Sequence, residues 1–304
     1  MAKATAAKAR ARRPARRPAP RPAVPRWALV AGVAAVVAVA GIVWAVGQGG
    51  NEPPSEAGQV SIEHVHGLGI NPADGTMFAA AHNGVFRLPS GGPARRVGDG
   101  QQDTMGFTVA GANHFLASGH PAPGKGGPAN LGLIESTDGG LTWRPLSLQG
   151  GADFHALRYR HDTVYGYNSV SGQLMASRDR TTWETRATTA LRDFAVSPTS
   201  PDSLLATGQQ GVLRSGDGGH TWTPAGGPPV VLLDWERPDR LWGVTASGDV
   251  LRSTNGGTAW STAGQIGGAA TAFTATGDDL YISVHERGIL HSRDAGATWT
   301  QVHP

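Results

Sequence analysis

An all-β ring of six four-stranded blades, preceded by one N-terminal transmembrane helix, is the architecture this sequence predicts. Three observations carry it. Five tryptophans at 143, 183, 222, 260 and 299 are separated by 40, 39, 38 and 39 residues, a period in the range of propeller blades and related arrays. Between them lie short apolar runs broken by Gly, Asp and Asn turn signals, with almost no helical periodicity. Upstream, Trp27 to Val46 is 20 uncharged, nearly all apolar residues, about the length that crosses the hydrocarbon core as a helix.

The first 26 residues carry nine Lys or Arg and no acid. Such a run can signal nucleic-acid binding, but beside an apolar span it reads as the cytoplasmic flank, which places everything after Val46 outside. Trp27 and Trp44 sit where aromatic belts form. Cleavage as a signal peptide is the competing reading. Ala38-Val39-Ala40 has the small-x-small form, yet the apolar run continues past it to Val46. An uncleaved single-pass anchor is therefore expected, with the chain at the cell membrane and its N-terminus cytoplasmic. The chain has no cysteine, so neither a lipidated cysteine nor a disulfide contributes.

Residues 47–59 are rich in Gly, Pro, Glu and Ser and read as a linker. Beyond the tail, 17 basic face 23 acidic residues, a net of −6. The pI of about 9.6 thus belongs to the tail, and nucleic acid is not an expected partner of the folded part. That part, 60–304, is expected to be one domain.

The tryptophans close a repeated turn: Ser136-Thr137-Asp138-Gly139-Gly140-Leu141-Thr142-Trp143, again at 215–222 and 292–299, with Asn255 for Asp at 253–260 and a shortened copy at 177–183. Asp or Asn before Gly-Gly supplies the positive φ of a tight turn, and short Ser and Asp side chains can bond its amides. The motif resembles the Asp-box, or BNR, repeat of the sialidase-like propellers, over roughly residues 60–304. The copy at 136–143 closes a longer unit, Thr104–Trp143, and His64–Leu88 repeats the strand pattern without the turn motif, which brings the count to six blades of four-stranded size. The family includes glycosidases, photosystem assembly factors and sorting receptors. The resemblance implies that the Asp box is the turn between the third and fourth strands of a blade, and that the first strand lines a central channel. Function must still come from the site.

Aligned on that pattern, the six inner strands start at His64, Asp103, Asp153, Arg192, Pro229 and Ala269. Two residues on, and so on the same side of each strand, come His66, Met105, His155, Phe194, Val231 and Thr271. Loops between second and third strands add His82, His120 and His285-Glu286. Six of eleven histidines are thereby expected on one side of one face.

Three functions compete. Glycoside hydrolysis needs two carboxyl groups. Asp103 and Asp153 are the best-placed pair, Glu286 is in reserve, and Arg192, His82 and His120 would bind substrate. The chain departs from a true sialidase: only Arg192 stands at a strand start, and Tyr165, Tyr167 and Tyr281 fall inside second strands. Phe86-Arg87-Leu88-Pro89 resembles the sialidase Phe-Arg-Ile-Pro motif but lies on a third strand. A metal site is the second reading, with His64, His66, His155 and Met105 as ligands for a divalent metal, zinc or copper. The third is a non-catalytic platform for a glycan or protein ligand.

Overall fold

The computed structural model describes residues 61–209 and 211–304. The basic tail, the apolar span at 27–46 and the linker at 47–59 lie outside the described residues. Among the described residues no helix is long and apolar enough to cross a membrane.

Six sheets of four antiparallel strands follow one another along the chain. Blade one is β1 (Val65–Ile70), β2 (Met77–Ala81), β3 (Gly84–Leu88) and β4 (Arg95–Arg96). The other inner strands are β5 (Asp103–Gly111), β9 (Phe154–Arg160), β13 (Asp193–Val196), β17 (Val230–Arg237) and β21 (Ala270–Thr276). Each meets the next, and β21 meets β1, so the ring closes. All four strands of every blade come from one contiguous stretch, so among the described residues no exchanged strand fastens the ends together. The closure is apolar: Ala272 and Ile289 of blade six pack with Val65, Leu68, Met77 and Phe86 of blade one.

Side chains on the inner strands do part of the work that strand exchange would otherwise do. Asp193 Oδ2 accepts from the Leu233 amide of the next blade at 2.8 Å. Asp234 Oδ2 and Glu236 Oε1 accept from the Ala275 and Gly277 amides at 3.0 and 2.9 Å. Burial pushes the Asp234 carboxyl up to about 6, against the pull of Arg158 and the Ala275 amide. Glycine also permits close approach, since a Cβ on Gly106 of β5 would stand 2.2 Å from the Phe154 carbonyl oxygen of β9.

The repeated turn has the geometry its residues imply. In the copy at 215–222, Ser215 Oγ accepts from Gly219 N at 2.8 Å and donates to Asp217 Oδ1 at 2.8 Å. Asp217 in turn accepts from the Thr221 amide and hydroxyl at 2.9 and 2.6 Å, and these bonds depress its pKa. Trp222 Nε1 closes back on Gly219 O at 3.0 Å. The shortened copy differs: Trp183 Nε1 reaches Ser147 Oγ at 2.9 Å, outside its own turn, because the second glycine and its carbonyl are gone. Ser215 is buried at 1 % exposure. Ser215→Ala therefore strands the Gly219 amide and is expected to cost about 1–2 kcal/mol, read as a shift of the urea midpoint at constant slope.

Candidate metal centre

The first inner strand is irregular where chemistry collects. A bulge between Val65 and Gly67 shifts the β1–β2 register, and His64 just before it has φ 37°. Bulges re-aim side chains. Here His64 and His66 end with ring centroids 5.1 Å apart. His82, in the short turn from β2 to β3, is returned over the start of its own blade by the His82 N to Glu63 O bond of 3.1 Å. Its ring lies 4.6 Å from His66 and 5.3 Å from His64. His285 of blade six adds a fourth ring, 5.9 Å from His64.

One nitrogen from each of His64, His66 and His82 falls within 4.8 Å of the others. Asp103, opening β5, faces them: its Oδ1 is 2.9 Å from His82 Nδ1 and 3.9 Å from His66 Nε2. The shorter approach is not aligned as a hydrogen bond and the longer is beyond its range, so His66 Nε2 and Asp103 Oδ1 are buried without a partner among the described residues. Burial, then the neighbouring His82 and His64 rings, push the His66 imidazole down to about 3. Burial, followed by His82 and His285, lowers His64 as well. At neutral pH both rings are neutral and offer lone pairs.

A second group lies around the mouth. Asp153, 4 % exposed, accepts at Oδ2 from His155 Nε2 at 2.7 Å and Ser169 Oγ at 2.9 Å. His120 Nε2 approaches the same oxygen at 3.6 Å, and its Nδ1 donates to Ala129 O at 3.0 Å. Burial pushes the Asp153 carboxyl up, but the His155 bond and charge with the Ser169 bond outweigh it, leaving it below its ordinary value. Asp153 is thus held as an anion. A cavity of about 190 Å³ runs inward from the mouth, lined by His66, Met105, His155 and Arg192.

The compact trio differs from the one expected. His82 joins His64 and His66, while His155 is taken up by Asp153. The loop of one blade returns to its own inner strand, whereas His155 starts two blades away. Met105 reaches the cavity wall and stands outside the trio. Arg192 is exposed at the same wall and has no ion pair among the described residues. Glu286, 85 % exposed with its Oε1 3.8 Å from His285 Nδ1, is not drawn in. Ser169 went unread in the sequence, although its loop between second and third strands marked it as facing the mouth.

No family model matches the sequence, and no curated protein does. Solved structures do match in fold. A GH74 enzyme of Niastella koreensis superimposes with a TM-score of 0.58 at 14 % identity, over 80 % of this chain and 46 % of that one. The chain thus spans about half the length of that enzyme. A structure of the nidogen/laminin complex gives 0.57 at 12 % identity, over 71 % of this chain and 88 % of that one. YCF48 bound to D1 peptide gives 0.51 at 16 % identity, over 83 % and 86 %. The chain is a six-bladed β-propeller with structural neighbours among the GH74 and YCF48 propellers.

Proposed function

We propose that this chain is a metal-binding propeller of the sialidase-like, Asp-box type, carried outside the cell membrane on its N-terminal anchor. His64, His66 and His82 hold a borderline divalent cation, zinc or copper(II), with Asp103 as fourth ligand. The observation that carries this reading is the convergence of three imidazole nitrogens within 4.8 Å of one another. The unpartnered His66 Nε2 and Asp103 Oδ1 fit it, since buried polar atoms without partners are rare unless something unrepresented satisfies them. Imidazole suits zinc and copper, and a set of three His leaves room for a further ligand. Bound there, the cation would supply Lewis acidity or a docking point at the channel mouth. The anchor, the extracytoplasmic location and the repeat family rest on the sequence.

Glycoside hydrolysis draws support from the fold likeness, but its residues are poorly disposed. Of the proposed pair, Asp153 is tied down as an anion and Asp103 faces imidazoles, while Glu286 stands in solvent. Metal analysis of the untagged full chain tests the metal reading. One zinc or copper per chain, lost in the His64→Ala/His82→Ala double variant, is expected; no stoichiometric uptake of either ion would overturn it.

A further inference from the structure

His82 and His285 occupy the same place in neighbouring blades. In blade one His82 follows the last residue of β2, and its amide bonds to Glu63 O just ahead of the inner strand. In blade six His285 follows the last residue of β22 (Asp279–Val284), and its amide bonds to Ala269 O at 3.0 Å, just ahead of β21. Glu286, with φ 60°, then leads the chain toward β23 (Gly288–Ser292). One backbone pattern thus places both side chains beside the start of an inner strand.

The spacing of the rings suits a shared ion. Metal–nitrogen bonds of about 2.0–2.1 Å put an imidazole centroid about 3.2 Å from its ion, so two rings on one ion lie at most about 6.4 Å apart. The His64 ring stands 5.1, 5.3 and 5.9 Å from those of His66, His82 and His285, inside that limit for all three. Little holds His285 where it is. Its side chain is 54 % exposed, and its Nδ1 lies 3.8 Å from Glu286 Oε1, beyond hydrogen-bond range.

We infer that His285 is a fourth imidazole of the metal centre, supplied from blade six by a turn about its own side-chain bonds, and that the ion is copper(II). This rests on the metal reading above and extends it to a further ligand and a single metal. Four imidazoles with Asp103 make five donors, which suit the tetragonal geometry of copper(II) better than the four-coordinate tetrahedron of zinc. Such a ligand also fastens the ring. Blades six and one meet through apolar contacts, Ala272 and Ile289 against Val65, Leu68 and Phe86, and among the described residues they share no strand. An ion held by both His64 and His285 joins the two blades through coordinate bonds and clasps that seam.

The test compares wild type with His285→Ala, as untagged full chains given one equivalent of copper(II). Because the side chain is largely exposed, the substitution should leave the circular dichroism spectrum unchanged, and His285→Gln carries the same comparison should it not. Pulsed EPR is expected to count four imidazole nitrogens on a tetragonal copper in the wild type and three in the variant. Copper affinity, read by competition with a chromophoric chelator, should weaken at least ~10-fold, the least that loss of even a ligand's outer hydrogen-bond partner costs. Copper should also slow amide exchange in β21 to β23 of the wild type, and the variant should lose that slowing. Copper bound with the same nitrogen count and affinity in both proteins would overturn the role of His285 and leave the metal centre standing. Copper-dependent slowing that persists in the variant would overturn the clasp. No copper uptake by either protein would remove the metal centre itself, and this inference with it.

Discussion

Saturating zinc is expected to raise the unfolding midpoint of the full chain by about 5–10 °C, and His66→Leu to abolish that rise. A ligand held at 100-fold its dissociation constant stabilises the state that binds it by about 2.7 kcal/mol. For a domain of this size each kcal/mol moves the midpoint roughly 2–4 °C. The variant separates a ligand from a structural imidazole. His66 Nε2 is buried and unpartnered, so replacing the ring by an apolar side chain removes an unmet polar group. The metal-free His66→Leu protein should therefore melt at or above the wild-type temperature. Differential scanning fluorimetry with and without zinc decides it. A zinc-dependent rise of equal size in both proteins would sink the assignment of His66, and a metal-free variant that melts several degrees lower would show the ring to be a packing element.

The second large effect lies on the opposite side of the blades, in the ion-pair cluster of Glu135. This carboxylate, on β7 (Leu133–Ser136), is 2 % exposed. It accepts from His114 Nε2 at 2.8 Å and Arg180 Nη1 at 2.7 Å, and from Arg144. Arg180 belongs to the turn of the next blade, so one carboxylate couples two blades. Glu135→Ala leaves three cationic or donor groups facing a void. The expected cost is about 2–4 kcal/mol, below the range for fully buried pairs because Arg144 is itself exposed.

Burial pushes the Glu135 carboxyl up, but the His114 hydrogen bond and the Arg144, His114 and Arg180 charges more than offset it, and the folded pKa lies below its ordinary 4.5. The folded state therefore binds that proton less readily than the unfolded chain. The contribution is complete above pH 4.5 and is lost as pH falls through the lower folded value. Urea unfolding of wild type and Glu135→Gln at a series of pH values should show a gap that is constant near neutrality and narrows below pH 4.5. A gap that does not change with acid would mean that Glu135 is not the group responsible.

Much of this molecule could be read from one sequence, for reasons that are local. The tryptophan period follows from what one blade needs: four short strands, three turns and a large side chain to cover its neighbour. The turn at Ser215–Trp222 is built from bonds within eight consecutive residues, so its residue types announce its geometry. Alternation along a strand is also local, and it placed His64, His66, Asp103, Asp153 and His155 around one opening. The anchor at 27–46 remains a reading of apolar length and flanking charge.

What only the folded ring decided is which of those groups meet. Phase along a strand says which side a residue faces, not how far it stands from residues 20 or 50 positions away. The bulge at Val65–Gly67 and the returning turn of blade one make His82, rather than His155, the partner of His64 and His66. The Glu135 cluster was invisible for the same reason, since it gathers side chains from strands and turns of neighbouring blades. Repetition along the chain determines the blade; the meeting of different blades determines the chemistry, because distance across a closed ring is a property of the packing and not of the spacing.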